Sequence, residues 1–116
     1  MEATTECLFC KISRGEIPSE VLFSDDRITV FKDLNPKAPV HFLIVPKRHI
    51  ESVQTLTPAD GEIIREMILG AKKVATELGL RGYKLVFNVG RTGGQIIDHI
   101  HLHLLGGWKG PSSLDI

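Results

Sequence analysis

Five histidines and two cysteines carry the chemistry available to this chain. Three of the histidines alternate in the segment His99-Ile100-His101-Leu102-His103-Leu104-Leu105. Successive side chains of a strand point to opposite faces, so an extended segment would line up the three imidazoles on one face at intervals of ~6.5–7 Å. Ile100, Leu102 and Leu104 would then point to the core. β-Propensity does not explain three imidazoles in a row, so that face must be wet, metal-bound or catalytic. Two chemistries fit. Alternate histidines can bind zinc with an open coordination position, as in a hydrolase. Alternatively, one imidazole attacks as a nucleophile while its neighbours and backbone N–H groups stabilise charge on a phosphate. Spacing alone leaves both open.

The cysteines form the pair Cys7-Leu8-Phe9-Cys10. Two thiolates one helical turn apart can converge on one ion. The redox alternative expects a strand directly before the helix that carries the pair, and none is visible. The gaps from Cys10 to His49 and from His49 to His99 are too long for a zinc-finger pattern, so the residues alone leave the ligand set open. Two cysteines do not make the disulfide framework of a secreted domain.

These groups need elements to position them. A length of 116 residues with 42% hydrophobic content is one domain's worth, which predicts a single domain over residues 1–116. Fourteen basic and fourteen acidic residues cancel, removing the electrostatic case for nucleic acid or an anionic membrane as partner. No apolar run approaches the ~20 residues of a membrane span, and Met1 to Cys7 lacks the layout of a signal peptide. The expectation is a soluble cytoplasmic protein.

A short helix is predicted from Cys7 to Ser13, stopped by Gly15 and Pro18. Strands follow at Glu20–Ser24, Ile28–Lys32 and Val40–Val45, close enough for a meander. Thr57, Pro58, Asp60 and Glu62 signal the start of one long helix. Its apolar stripe runs from Ile63 through Met67, Ala71 and Val74 to Leu78, and Gly79 ends it. Gly61 and Gly70 weaken it by about 1 kcal/mol each, so packing must hold it. Strands at Tyr83–Val89 and Asp98–Leu105 flank a loop bearing Gly90, Gly93 and Gly94. The class is α+β: about five mostly antiparallel strands, one long helix and a short N-terminal helix.

The stretch NVGRTGGQIIDHIHLHLLG, Asn88 to Gly106, resembles the signature of the histidine triad (HIT) family. The likeness extends upstream through CLFCKISRGEIPSEV, VFKDLNPKAPVHFLIVPKRHI and the long helix, and is nearest to the Hint-like branch, bacterial type. The resemblance implies the HIT fold and a hydrolase or nucleotidyl transferase that cleaves purine nucleoside 5′-phosphoramidates through a covalent nucleotidyl-His101 intermediate. His41 and His103 would contact the phosphate oxygens. Asn88 and the backbone of Gly94, Gln95 and Ile96 would position phosphate and leaving group, Asp33 the ribose, and Phe9, Ile12, Ile17, Phe31 and Leu34 the base. Phe31 and Asp33, two apart, would share a strand face.

In bacterial relatives, a structural zinc implies Cys7, Cys10, His49 and His99 as ligands here, with no metal required for the chemistry. The implied partners are a purine nucleotide such as AMP or GMP and a second copy of the chain in a homodimer. Other readings are dinucleoside polyphosphate hydrolysis with the same nucleophile, a nucleotide-binding interaction module with slow catalysis, and a zinc hydrolase with all three triad histidines on the metal. One departure bears on rate. In eukaryotic Hint enzymes a serine three residues before the first triad histidine helps the leaving group, and Ile96 stands there. Asp98 takes a position that is Tyr in many relatives. The tail from Trp108 to Ile116 falls where relatives reach towards the partner's active site.

Overall fold

A computed structural model describes residues 7–111. The last five residues of the C-terminal tail lie outside the described residues, as do the first six of the N-terminal segment read for a signal peptide. Helix α1 (Leu8–Ser13) is followed by strands β1 (Val21–Ser24), β2 (Ile28–Lys32) and β3 (Val40–Pro46), helix α2 (Gly61–Glu77), and strands β4 (Tyr83–Phe87) and β5 (Leu102–Gly106). The strands form one antiparallel sheet in the order β1-β2-β3-β5-β4. The predicted meander is therefore present, and β5 inserts between β3 and the edge strand β4. Among the described residues no helix is long and apolar enough to cross a membrane.

Alternation divides the sheet into two unlike faces. Ile28, Val30, Ile44, Leu102 and Leu104 pack with Met67, Ala71, Val74 and Ala75 of α2 in one buried cluster. Phe31, Leu43 and Val45, on the opposite face of β2 and β3, pack with Phe9 and Ile12 of α1 in a second cluster. His41, which alternates with Leu43 in β3, and His103, opposite Leu43 in β5, lie on this second face.

The long helix starts later than its sequence signals. Pro58–Asp60 forms a 3₁₀ turn first, with the Thr57 N–H donating to Asp60 Oδ2 at 2.9 Å. Gly79, at φ +74°, ends α2, and the Leu80 N–H donates back to Ala75 C=O at 2.9 Å. This left-handed closure satisfies carbonyls that the helix leaves open. Gly70 has a packing reason: a Cβ there would overlap Ile28 Cδ1 on the sheet beneath.

The alternating histidine segment departs from expectation. Strand β5 begins only at Leu102, so of the three histidines only His103 lies in the sheet. His99 sits in a bend, and the Ile100 N–H donates to Ile50 C=O at 2.7 Å, outside the sheet ladder. The reason is local: His99 must turn its ring into the cysteine cluster. Ile100, Leu102 and Leu104 are buried as expected. The histidines do not form a solvent-facing stripe, since His99 is fully buried and His101 is 8% exposed.

Candidate functional site

The cross-strand register places His103 opposite Leu43 on one side and Val86 on the other, at the middle of the α1-facing surface. His41 stands two residues before Leu43 in β3 and reaches His103 diagonally. Asp33 follows β2, and its N–H donates to His41 C=O at 3.0 Å, which continues the ladder and keeps its carboxylate on the same face.

Main-chain groups decide the protonation pattern of the rings. His101 Nδ1 lies 2.8 Å from His99 C=O. A carbonyl only accepts, so Nδ1 carries the proton and Nε2 keeps its lone pair. The Lys37 N–H donates to His41 Nδ1 at 2.9 Å, so the His41 proton is on Nε2. From there it donates to His103 Nδ1, also at 2.9 Å, leaving the His103 proton on Nε2. Asp33 Oδ2 flanks the same His41 Nε2 at 3.3 Å.

Burial pushes the basicity of all three rings down. His103 falls from the ordinary 6.5 to about 4, through desolvation first and then the adjoining His101 and His41. Burial lowers His101 against the opposing carbonyl bond and the more distant Asp33 charge. Burial also lowers His41, although the Asp33 carboxylate pulls the other way. The site therefore presents neutral imidazoles, one with a free lone pair and one with a free N–H.

These rings line a cavity of about 580 Å³, within the usual range for small-molecule sites. Its apolar wall is Phe9, Ile12, Phe31 and Leu43, and its polar side is Asp33, His41, Asn88, His101 and His103. Leu34 and Ile96, each 78% exposed, stand at its mouth, and Gly94 lines it beside Asn88. The structure thus brings most of the predicted nucleotide-contacting residues to one place. Two fall elsewhere. Ile17 packs against the second core cluster without lining the cavity. The Gln95 side chain is buried in its own loop, where it donates to Glu51 and Ile97 carbonyls and accepts from the Gly90 N–H. Asp98 pairs with Arg91 at 2.8 Å, and Arg91 also donates to Gln95 C=O, so this acid braces the loop.

Leu43, Val86, Lys37 and Leu105 line the cavity without having been singled out in the sequence. Leu43 could have been found from its alternation with His41, and Val86 from its alternation with Asn88. Lys37 acts on His41 through its main-chain amide, which no residue type announces.

Cys7, Cys10, His49 and His99 converge behind Phe9, with their four ligand atoms within 4.8 Å of one another. His99 Nδ1 lies 3.2 Å from Cys7 Sγ and 3.4 Å from Cys10 Sγ, and His49 Nδ1 lies 3.3 Å from Cys10 Sγ. The set fits a metal. His99 Nε2 donates to Pro46 C=O at 2.8 Å, which leaves its Nδ1 lone pair facing the sulfurs, the usual outer support of a metal-bound histidine. Burial holds His99 down at about 4, again favouring the neutral ligand form. Two sulfurs and two nitrogens make a closed tetrahedral set with no position for water. Asp33, His41 and His103 also cluster within 4.8 Å, but the amide bond to His41 Nδ1 puts a proton on the nitrogen that would have to coordinate. His99 and His103 belong to separate clusters, which does not fit one metal held by all three triad histidines.

A family profile described as "Scavenger mRNA decapping enzyme C-term binding" matches residues 6–112. The chain is 43% identical over 104 residues to a purine nucleoside phosphoramidase of Escherichia coli, covering 88% of this chain and 87% of that one. Its fold is similar to that of a HIT family hydrolase from Legionella pneumophila, with a TM-score of 0.88 and 50% identity over 90% of this chain and 95% of the other. A zinc-bound histidine triad family protein from Mycobacterium smegmatis matches with a TM-score of 0.82 and 26% identity, covering 94% and 80%.

Proposed function

The chain belongs to the histidine triad family and is a HIT-type hydrolase, and from that premise we propose that it hydrolyses purine nucleoside 5′-phosphoramidates through a nucleotidyl-His101 intermediate. The observation that carries this reading is the bond from His101 Nδ1–H to His99 C=O, which leaves Nε2 as a lone-pair nucleophile in a lined cavity. A neutral imidazole of lowered basicity attacks without metal activation.

In this mechanism His101 Nε2 bonds to phosphorus while the P–N bond to the amine breaks, and the amine leaves with a proton taken from entering water. His103 Nε2–H donates to a phosphoryl oxygen as its charge grows. His41 holds His103 in the donating tautomer. The hydroxide left by that water then attacks phosphorus, breaking its bond to Nε2, and the nucleoside monophosphate is released with His101 neutral again. Phe9, Ile12 and Phe31 form an apolar slot suited to a purine base, and the Asp33 carboxylate can accept from both ribose hydroxyls. Asn88 and the backbone from Gly94 to Ile96 would steady the phosphate. Zinc held by Cys7, Cys10, His49 and His99 would supply structural bonds only. Reduced thiols retained for a metal suit a cytoplasmic setting. Among the described residues β4 ends the order of the sheet and Leu85 in it is 38% exposed, which supports pairing of two copies into a homodimer.

The test is hydrolysis of an adenosine 5′-phosphoramidate by wild type and His101→Ala, with mass spectrometry of acid-quenched samples. Wild type is expected to release AMP and show a transient adduct of nucleotidyl mass, and the variant neither. Equal rates in both proteins would overturn the reading. Ile96 favours one second reading, a nucleotide-binding module with slow turnover, which would show tight AMP binding and background hydrolysis.

A further inference from the structure

We propose that His99 and Phe9 turn the metal cluster into a positioning device for His101. The clearest link is one residue serving two sites. The His99 side chain faces both cysteine sulfurs through Nδ1, meets the His49 ring edge-on at 5.0 Å, and is tied to Pro46 C=O through Nε2. Its main-chain carbonyl, meanwhile, is the acceptor that keeps the His101 proton on Nδ1. His99 lies in a bend outside the sheet ladder, so its side-chain anchors rather than strand pairing orient that carbonyl.

A second link runs through α1. Cys7 caps this six-residue helix and Cys10 lies within it, and a helix so short does not hold itself together. Phe9, between the two cysteines, packs edge-on against His101 at 5.0 Å, His99 at 6.0 Å and Phe31 at 5.5 Å. Ligation of both thiolates therefore pins the helix that presses on one side of the His101 ring, while ligation of His99 sets the acceptor on its other side. Without that acceptor the proton is free to move to Nε2, where it occupies the lone pair that attacks phosphorus. The closed ligand set takes no part in bond making, so its influence is positional.

This inference rests on the proposed reaction only for the identity of the nucleophile, and its main readout is spectroscopic. The protein, ¹⁵N-labelled in its histidine rings, is compared loaded with zinc and stripped by chelation, using two-bond ¹H–¹⁵N correlation spectra. Loaded protein is expected to show His101 as a single Nδ1–H tautomer, and stripped protein a mixture. His41 and His103, whose protons are set by the Lys37 amide, should keep their tautomers in both states. Turnover should fall about 10–100-fold on stripping, mainly in kcat, the scale expected when a reacting group is displaced.

An unchanged His101 tautomer in a folded, stripped protein overturns the proposal. Where stripping unfolds the chain, Cys7→Ser decides, since serine preserves the helix cap and weakens the metal set. Its His101 spectrum must shift towards the mixture at low zinc and recover at high zinc, and a spectrum indifferent to zinc overturns the proposal. Absent turnover with the expected tautomer change would instead count against the phosphoramidase reading alone.

Discussion

Ile96 lines the cavity mouth with most of its side chain in solvent and has no group to give a departing amine. Replacing it by serine is expected to raise kcat by about 3–10-fold, well short of the roughly 10²–10⁴-fold of a fully positioned general acid because a serine hydroxyl is a weak donor on an exposed loop. KM and melting temperature should barely move, because an exposed side chain contributes little to stability. Steady-state kinetics on one amine substrate checks this, and a kcat equal to or below wild type would remove the leaving-group argument. At this scale the alternating histidines and the cysteine pair were legible from type and spacing, because few contexts place so many imidazoles together, whereas His41 and His49 joined them only through the family resemblance. Gln95 shows the opposite. Nothing in its type or position announces that its side-chain amide satisfies three main-chain groups, those of Gly90 and Ile97 in its own loop and that of Glu51 beyond it. Residue type shows that a side chain can hydrogen-bond, and only the fold selects the partner.

The elements were legible where one periodicity ran unopposed. β2 follows its pattern closely and α2 buries its stripe at Met67, Ala71, Val74 and Ala75 but leaves Ile68 and Leu78 exposed, and the second cluster explains why β2 is apolar on both faces. The start of β5 was not legible, since His99 obeys strand alternation in sequence while its ring is claimed by a cluster assembled from α1 and the segment after β3. The two helix glycines offer a test at the same scale. Gly61 has open space around it, so Gly61→Ala should stabilise by about 0.5–1 kcal/mol. Gly70→Ala gains the same propensity but drives a methyl group into Ile28, and overpacking costs ~1–3 kcal/mol. Urea unfolding of the two variants should therefore move in opposite directions. Stabilisation by both would mean that Ile28 has room to turn aside.

Across the whole molecule, one sheet separates an apolar core on the α2 side from a layer on the α1 side that combines core and chemistry. The second layer makes stability depend on pH. His103 faces His101, His41 and Asp33, and its folded basicity of about 4 lies below the ordinary 6.5, with His41 and His101 shifted in the same direction. Below 6.5 the unfolded chain binds protons that the folded chain refuses. The contribution of these rings is thus fully present above 6.5 and is lost as pH falls towards about 4. Urea midpoints at pH 7.5, 6 and 5 should decline in that order, and a His103→Gln variant should decline less. A flat series for wild type would contradict the burial of neutral rings. The net charge of zero gave no sign of this sensitivity, which arises from where the rings sit and not from how many there are.

The groups that assign each triad proton are the amide of Lys37 and the carbonyl of His99, with the carbonyl of Pro46 doing the same for the metal cluster. All three are main-chain atoms, which nearly every substitution leaves in place. At position 37 only proline would delete the donor. Outside the metal cluster that orients the His99 carbonyl, the protonation pattern is thereby insulated from mutational drift, while the exposed Leu34 and Ile96 at the cavity mouth remain free to vary. Such a molecule can change what it accepts as substrate without rewriting how it reacts.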